Sequence, residues 1–461
     1  MIATSTAVRF GVAVVATSLG VLLTAQLAPA ATTHRGAVSN PPAVSAPVKL
    51  PASAGLGEPS IAIDSAGRLF VTAPQGLGNI TGSGSPIWTS TNGGASFASP
   101  VNPNGDPVSG GDTDLAVDAS GDIYQVDVWL GNAAIALSTD HGASFIANQY
   151  GHLQPGDDRP WLTYSASDNT LYLTWDGFDG IHVAHSLPLT NPSLGLVFAQ
   201  DVVAVPECIL GGTNPCSTPP IRQCVCSPGG IAVDPHSGQV YVSYSKQNGP
   251  ANGGGVGIAS STNGGLTWSY SSVPLSGSTG SAFDTEYNFD PIQVDNQGHL
   301  YVAWGEGQGI DTNNVATGGV AIKYSYSTNH GANWNTPTLV STTTTTNVFP
   351  TLAVVAPGVV NIGYYGSTAT GDPNSPKPAN ATWNVMLAKS GDALSAAPGF
   401  SPAIAVAGIH TGCIQVGGLA SCSDRSLLDF FQLIVDHAGQ ANIMYTAGDA
   451  TQGTALFFTK Q

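Results

Sequence analysis

Short apolar runs come in pairs along the chain, each pair separated by a few polar residues and a glycine. In the first pair, the runs 60–63 (SIAI) and 69–72 (LFVT) flank Asp64 and Gly67. Two apolar runs joined by such a turn predict a β-hairpin. The first run of a pair is apolar at almost every residue, as in strands that are buried on both faces. Six more pairs follow, and their first runs begin at Thr113, Pro160, Gly229, Asp290, Pro350 and Phe431.

A second repeat, eight residues long, lies in phase with these hairpins. Each copy starts with Ser, has Asp or Asn third and Gly fifth, and ends on an aromatic residue. These residues favour a tight turn between two strands. The clear copies are Ser90–Phe97, Ser138–Phe145, Ser261–Trp268 and Ser327–Trp334, and less regular counterparts are Ile181–Ser186, Trp383–Ser390 and Ala455–Thr459.

One hairpin of each kind makes a four-stranded antiparallel meander of roughly fifty residues, a unit size typical of propeller repeats. Seven such units predict an all-β fold, a seven-bladed β-propeller. A six-bladed ring with one irregular unit is the alternative. The last unit ends after three strands, at 457–459 (FFT). The segment 46–50 (APVKL) is placed to supply the fourth strand and close the ring.

The composition agrees with a turn-rich β protein, with 57 Gly, 32 Pro and only 9% charged residues. The net charge is −17, and no basic cluster occurs. Because phosphate binding requires clustered cations, we expect no nucleic-acid partner. We expect a monomer.

The N-terminus has the pattern of a secretory signal. Arg9 precedes an apolar run over 10–23, and Ala28-Pro29-Ala30 resembles a cleavage site. We therefore expect a signal peptide over 1–30, a flexible lead-in over 31–47 and a single propeller domain over 48–461. An uncleaved anchor is the weaker alternative. The mature protein is expected to be secreted and extracellular, with no membrane span.

Cysteines in an oxidising compartment form disulfides by default. Cys413 and Cys422 are the pair we favour, because they close a short loop. The connectivity of the other four, which crowd one insertion, stays open, and a metal site at Cys224 and Cys226 is a minor alternative. These four are Cys208, Cys216, Cys224 and Cys226.

The eight-residue turn resembles the Asp-box, or BNR repeat, whose pattern is Ser-x-Asp-x-Gly-x-Thr-Trp. Asn replaces Asp at Asn92, Asn263 and Asn329, and Asn keeps the side-chain oxygen that caps the turn. Asp-box propellers include sialidases, other glycoside hydrolases and binding proteins without catalysis. In such folds the turn is part of the scaffold, and it does not by itself indicate a function.

Meander geometry places these turns on one face of the ring and the longer connecting loops on the other, which we call the loop face. Functional residues tend to lie in such loops. The loop face should carry three arginines, Arg159, Arg222 and Arg425, and many carboxylates: Glu58, Asp112, Asp114, Asp157, Asp158, Asp176, Asp179, Asp284, Glu286, Asp290, Glu306, Asp424 and Asp429.

The resemblance to sialidases implies a carboxylate-binding arginine cluster, a Tyr nucleophile assisted by Glu, and an Asp acid/base. On this chain the implied substrate-binding residues are Arg159, Arg222 and Arg425. The implied catalytic residues are Asp158, Glu286 and Tyr287. The early Phe/Tyr-Arg-Ile-Pro motif of sialidases is absent, and the corresponding residues 56–60 read LGEPS. Alternatively, Asp158-Arg159 and Asp424-Arg425 are local ion pairs or caps at strand starts.

The leading function is an exo-acting glycoside hydrolase on extracellular glycans, and a non-catalytic propeller that binds a glycan or a protein is the alternative. Aromatic residues that end the second strands can stack on sugars, or they can pack in the core. No cofactor is expected, since a Ca²⁺ site has no spaced ligand motif here. The aromatic residues in question are Trp129, Trp175, Tyr244, Trp304 and Tyr364.

Overall fold

Twenty-seven β-strands and no α-helix make up the part of the chain that the computed structural model describes. The described residues all lie within the compact unit Val38–Gln461. They are 43–75, 84–103, 110–129, 132–152, 158–189, 196, 198–206, 224–247, 255–274, 287, 289–311, 315–416, 424–449, 451 and 453–461. The predicted signal peptide and most of the lead-in lie outside them. No described helix is long and apolar enough to cross a membrane.

The strands form seven antiparallel sheets, the blades of a propeller. Blade 1 contains β2 (Ser60–Ile63), β3 (Leu69–Thr72) and β4 (Ile87–Ser90), and blade 2 contains β5 (Thr113–Val117), β6 (Ile123–Trp129), β7 (Asn132–Ser138) and β8 (Ile146–His152). Blade 3 contains β9 (Asp158–Ser165), β10 (Thr170–Gly177), β11 (Gly180–Ser186) and β12 (Phe198–Pro206). Blade 4 contains β13 (Cys224–Val233), β14 (Val240–Gln247), β15 (Gly255–Ser261) and β16 (Ser269–Ser272).

Blade 5 contains β17 (Ile292–Val294), β18 (Leu300–Gly307), β19 (Val320–Ser327) and β20 (Thr338–Leu339). Blade 6 contains β21 (Thr346–Ala356), β22 (Val359–Ser367), β23 (Thr382–Ser390) and β24 (Ser401–Thr411). Blade 7 contains β25 (Gln432–Val435), β26 (Ala441–Asp449), β27 (Gly453–Lys460) and, from the other end of the chain, β1 (Val48–Lys49). In blade 1 the outer position is marked by a bridge between Ile87 and Val101. The prediction of seven blades is confirmed.

The ring is closed by the N-terminal segment, as the sequence predicts. Val48 pairs with Phe458 and Lys49 pairs with Phe457. The amide of Leu50 also donates to the carbonyl of Leu456 at 3.0 Å. Leu50 is buried in a cluster that joins blade 7 to blade 1. In blade 7, β1 thus covers the outer edge of β27 and supplies the fourth strand of the sheet.

The first strand of each blade lies at the centre of the ring. Each of these inner strands contacts the next, and β25 contacts β2 to complete the circle. Their apolar character follows from this position, because one face packs on each neighbouring blade. The starts of the inner strands, which follow the connecting loops, surround one mouth of the central channel. We call it the loop-face mouth.

Three of the eight-residue turns join the third and fourth strands of their blades, and that of blade 1 follows its third strand. One bonding pattern repeats in all four. In Ser138–Phe145, the hydroxyl of Ser138 accepts from the amide of Gly142 at 2.7 Å, and Asp140 Oδ1 accepts from the amide of Ser144 at 2.8 Å. The fifth-position glycine has a left-handed φ, 87° at Gly142. Asn92, Asn263 and Asn329 accept the same backbone bond as Asp140. The turns are therefore self-contained caps on the face opposite the loops.

Candidate functional site

A cavity of about 180 Å³ lies in the central channel. Side chains from the inner strands of six blades line it, among them Asp114, Trp161, Ile292, Thr351 and Gln432. The residues at the start of these strands form a charged cluster at the loop-face mouth.

Arg159 stands at the centre of this cluster, and it is only 3% exposed. Its Nη1 lies 3.5 Å from Oε2 of Glu58 in blade 1, and its Nη2 lies 3.8 Å from Oδ1 of Asp112, at the start of blade 2. Within the described residues, its Nε and Nη2 have no hydrogen-bond partner. Buried guanidinium donors are normally hydrogen bonded. Nε and Nη2 of Arg159 are therefore donors that the cluster itself leaves unused.

Three aromatic rings surround the guanidinium of Arg159. Its Cζ lies 4.3 Å from the ring centre of Phe430, 5.1 Å from that of Trp161 and 5.5 Å from that of Phe289. The rings come from blades 7, 3 and 5, so only the closed ring assembles them. Cation–π contact offsets part of the cost of burying the charge.

The backbone at this point has an unusual conformation. Glu58 and Arg159 have φ values of 51° and 48°, and each directly precedes a proline. Left-handed φ is uncommon for residues other than glycine, and it is found at sites where the surrounding structure fixes a strained conformation.

Asp158 and Asp112 form a carboxyl pair at the rim of the mouth. The amide of Arg159 donates to Oδ1 of Asp158 at 2.9 Å and to Oδ2 of Asp112 at 3.2 Å. The two side chains are also hydrogen bonded to each other. Asp158 is exposed as a residue, but partial loss of water around its carboxyl, this hydrogen bond and the charge of Asp112 raise its pKa to about 7. Burial tends to raise the pKa of Asp112 too, but Arg159 and the bond from Asp158 outweigh it, and that pKa is lowered.

Glu58 and Asp429 form a second pair of the same kind on the other side of Arg159. Glu58 is 3% exposed, and its Oε1 accepts from the amide of Asp429 at 2.8 Å. Burial, the charge of Asp112 and the interaction with Asp429 raise the pKa of Glu58 well above its usual range, against the attraction of Arg159. In each pair one carboxyl therefore has a raised pKa, so its neutral form is favoured. This arrangement limits the negative charge of the cluster.

Asp114 connects four blades below the rim. Its Oδ1 accepts from the hydroxyl of Ser60 at 2.5 Å and from Nε2 of Gln432 at 3.3 Å, and its Oδ2 accepts from the amide of Leu162 at 2.8 Å. Burial raises the pKa of Asp114 despite these bonds. The network fixes the inner strands around the cavity.

Two of the three predicted arginines share this site. Arg425 Nη2 lies 2.5 Å from Oδ2 of Asp429, and its side chain is 30% exposed. Like Arg159, Arg425 helps to lower the pKa of Asp112. The third arginine, Arg222, lies outside the described residues, as do Glu286, Asp157 and Asp284. The structure therefore brings Asp158, Arg159 and Arg425 together.

Tyr287, for which a role as nucleophile is predicted, lies in the hydrophobic core. It is 3% exposed and packs in a hydrophobic cluster with Phe349, Tyr365 and Trp383. Its ring also packs closely on Gly307 of β18. A tyrosine buried in this way has to move before it can attack a substrate at the mouth.

The aromatic residues that end the second strands belong to the core. Tyr244 is 5% exposed, Trp175 is 1% exposed, and Trp304 and Tyr364 are fully buried. For these four the packing alternative is confirmed. The side chain of Trp129 lies outside the description.

Cysteine pairing stays a prediction. Cys208, Cys216 and Cys422 lie outside the described residues, and only the backbone of Cys224 and Cys226 is described. No group of three or more His, Cys, Asp or Glu among the described residues is arranged to hold a metal ion.

Sequence reasoning identified the charges of the site but not their pairing. It missed Phe289 and Phe430, which are remote from Arg159 in the sequence, and it gave Glu58 no role. A left-handed residue before a proline has no sequence signature. The one available signal was that Glu58-Pro59 and Arg159-Pro160 occupy equivalent positions before inner strands.

No protein-family model matches the chain, and no curated protein matches it. Among solved structures it is similar to a Dyadobacter fermentans protein of unknown function, with 11% identity, a TM-score of 0.46 and coverage of 91% of this chain and 99% of that one. It is also similar to an α-L-arabinofuranosidase from Fusarium graminearum in complex with an iminosugar inhibitor (12% identity, TM-score 0.46, 91% and 98% coverage). A third is an intramolecular trans-sialidase from Ruminococcus gnavus in complex with oseltamivir carboxylate (11% identity, TM-score 0.41, 88% and 94% coverage). At these identities and TM-scores, the function of this chain has to be argued from its own residues.

Proposed function

We propose that this propeller is a glycoside hydrolase that cleaves an extracellular glycan at the loop-face mouth, with Asp158 as its general acid. The pairing of Asp158 with Asp112 beside Arg159 carries the proposal. A carboxyl whose pKa is about 7 is protonated in a useful fraction at neutral pH, and it is matched to proton transfer.

The proposed step is proton transfer with bond cleavage. Asp158 gives its proton to the glycosidic oxygen as the anomeric C–O bond breaks, and the bonding electrons leave with that oxygen. Water then adds its hydroxyl to the anomeric carbon, and its remaining proton restores the Asp158 carboxyl. Asp112 stays ionised, and its charge stabilises the positive charge that develops on the sugar.

Arg159 and Arg425 define the substrate class that we propose. Two cations in an acidic cluster, one with unused donors, suit a sugar that carries a carboxylate. The resemblance to sialidases likewise implies arginines that bind a substrate carboxylate. The burial of Tyr287 leaves no exposed tyrosine nucleophile at that position, so the proposed mechanism does not use it.

A non-catalytic glycan-binding propeller is the second candidate. The burial of Arg159 and its ion pairs with Glu58 and Asp112 favour this function. An arginine that only stabilises the fold is buried and paired in the same way, so the cluster does not require catalysis.

One experiment separates the two functions. Purified protein is incubated with a panel of sialylated, uronic-acid-containing and neutral oligosaccharides, and released sugars are quantified. The hydrolase is supported if wild type releases sugar and Asp158→Asn lowers the rate about 10²–10⁴-fold. Asp168→Asn, a carboxylate of the β9–β10 turn on the opposite face, is the matched control and should keep full activity. Glycan binding without release by wild type would establish the binding function instead.

A further inference from the structure

Phe178 is the most exposed large hydrophobic side chain among the described residues, with 76% of its surface accessible. It stands in the two-residue loop between β10 and β11, where Gly177 pairs with Gly180. A large apolar side chain in this position has no role in packing. A single exposed apolar residue is common on protein surfaces and does not by itself indicate a function. Evidence for a function of Phe178 therefore has to come from its surroundings.

The first argument is the position of Phe178 relative to the pair formed by Asp158 and Asp112. Asp176 pairs with Asp158 across β10 and β9, and Phe178 follows Asp176 by two residues. Antiparallel partners lie about 5 Å apart and a strand rises about 3.3 Å per residue, which places the Cα atoms of Phe178 and Asp158 about 8 Å apart. Phe178 and Asp158 therefore lie close together at the same end of blade 3. The pairing also shifts register between Thr174 and Asp176, and such irregularities often redirect strands beside active sites.

The second argument is the rigidity of the loop. His182, only 2% exposed, bridges two carboxylates, with Nε2 2.6 Å from Asp179 Oδ1 and Nδ1 2.8 Å from Asp201 Oδ1. Its ring stacks on Trp175 at 5.1 Å between ring centres. A Cβ at Gly177 would lie 2.7 Å from the His182 ring, so the loop packs directly on it. The loop is held in place while its tip is exposed.

We propose that Phe178 is an aromatic platform for a sugar ring in the subsite next to the bond that Asp158 cleaves. The inference rests on the proposed function and adds a binding subsite to it. The face of an aromatic ring packs well on the apolar face of a sugar ring. Asp176 and Asp179, on either side of Phe178 in the sequence, can accept hydrogen bonds from the hydroxyl groups of the sugar. A rigid aromatic residue also loses little conformational entropy on binding.

The test measures binding separately from cleavage. Affinities for the same oligosaccharide panel, in lengths of two to six sugars, are measured in an Asp158→Asn background. We expect Phe178→Ala to weaken binding of the best oligosaccharide about tenfold and Phe178→Trp to retain it. Leu266→Ala is the matched control, because Leu266 is 58% exposed in a turn on the opposite face. It should leave the affinity unchanged.

Equal affinity in Phe178→Ala and its parent would overturn the subsite, and so would the absence of binding to every oligosaccharide. If the proposed hydrolase function is wrong, the experiment gives a different result from the one that overturns the subsite. If wild type cleaves nothing while binding still depends on Phe178, the proposed hydrolysis is wrong and the aromatic subsite stands. Because Phe178 and Leu266 are exposed, we expect all variants to fold, and thermal unfolding checks this.

Discussion

Asp158 and Asp112 accept hydrogen bonds from the same amide, that of Arg159, and their side chains are hydrogen bonded to each other. Two carboxyls that share a site cannot both ionise at their usual pKa, so one becomes an acid near neutrality while the other stays charged. The pair lies at the mouth of a channel whose walls come from every part of the chain. It is the feature of this molecule that best fits chemistry at neutral pH.

Replacing Asp112 by Asn should move the titration of Asp158 to lower pH. The substitution removes the negative charge that helps to hold the proton, while the partial loss of water around the carboxyl and the charge of Arg159 stay. A ¹³C NMR titration of the Asp158 carboxyl measures this without any substrate. A midpoint that stays near pH 7 would show that Asp112 does not control Asp158.

Arg159→Ala should lower the free energy of unfolding by about 3–5 kcal/mol, because it removes a buried side chain that packs against three aromatic rings and pairs with Glu58. Arg425→Ala, at a side chain 30% exposed, should cost about 0–1 kcal/mol. Urea unfolding measures both. If both variants lost the same free energy of unfolding, Arg159 would not be the central residue of the charged cluster.

Leu50→Ala should destabilise the ring by about 2–5 kcal/mol, because Leu50 is 1% exposed between the first and last blades. The exposed neighbour Lys49 provides the control, and Lys49→Ala should change stability by about 0.5 kcal/mol or less. Thermal and urea unfolding report the difference. A Leu50→Ala protein as stable as wild type would argue against closure by β1.

Asp140→Asn tests the eight-residue turn. Hydrogen bonds from Ser144 and Ser138 lower the pKa of Asp140 to about 2. A lowered pKa stabilises the folded state above the unfolded value near 3.9, and this contribution is lost as pH falls toward about 2. The variant should match wild type in melting temperature at neutral pH, as Asn serves in the other three copies, and it should lose less stability in acid. If Asp140→Asn and wild type lost the same stability in acid, ionised Asp140 would not stabilise the turn.

The bridge from His182 to Asp179 and Asp201 should weaken as the pH rises. Burial acts to lower the pKa of His182, but the bonds to Asp201 and Asp179 outweigh it, and the pKa is raised. Only the imidazolium donates from both ring nitrogens. Its stabilisation is therefore complete below about pH 6.5 and is lost as pH rises through the raised pKa. The melting-temperature gap between wild type and His182→Gln should narrow over that range, and a constant gap would rule out the charged bridge.

The fold could be predicted from local signals, because each blade repeats its own turns and apolar runs. Even the closure by 46–50 followed from counting strands. The site could be predicted only in part. The chemistry of Asp158 depends on Asp112, and that of Glu58 depends on Asp429, 371 residues away in the chain. Which loops meet at the mouth is decided by the closed ring, and no local pattern encodes it.

The pH dependence of kcat/KM for glycan cleavage tests the central claim most directly. Since Asp158 must be protonated in the free enzyme to act as the acid, kcat/KM should fall with rising pH, with a midpoint near pH 7. In Asp112→Asn this midpoint should move to lower pH. A profile without that midpoint, or an Asp158→Asn variant with wild-type rates, would contradict the assignment of Asp158 as the general acid.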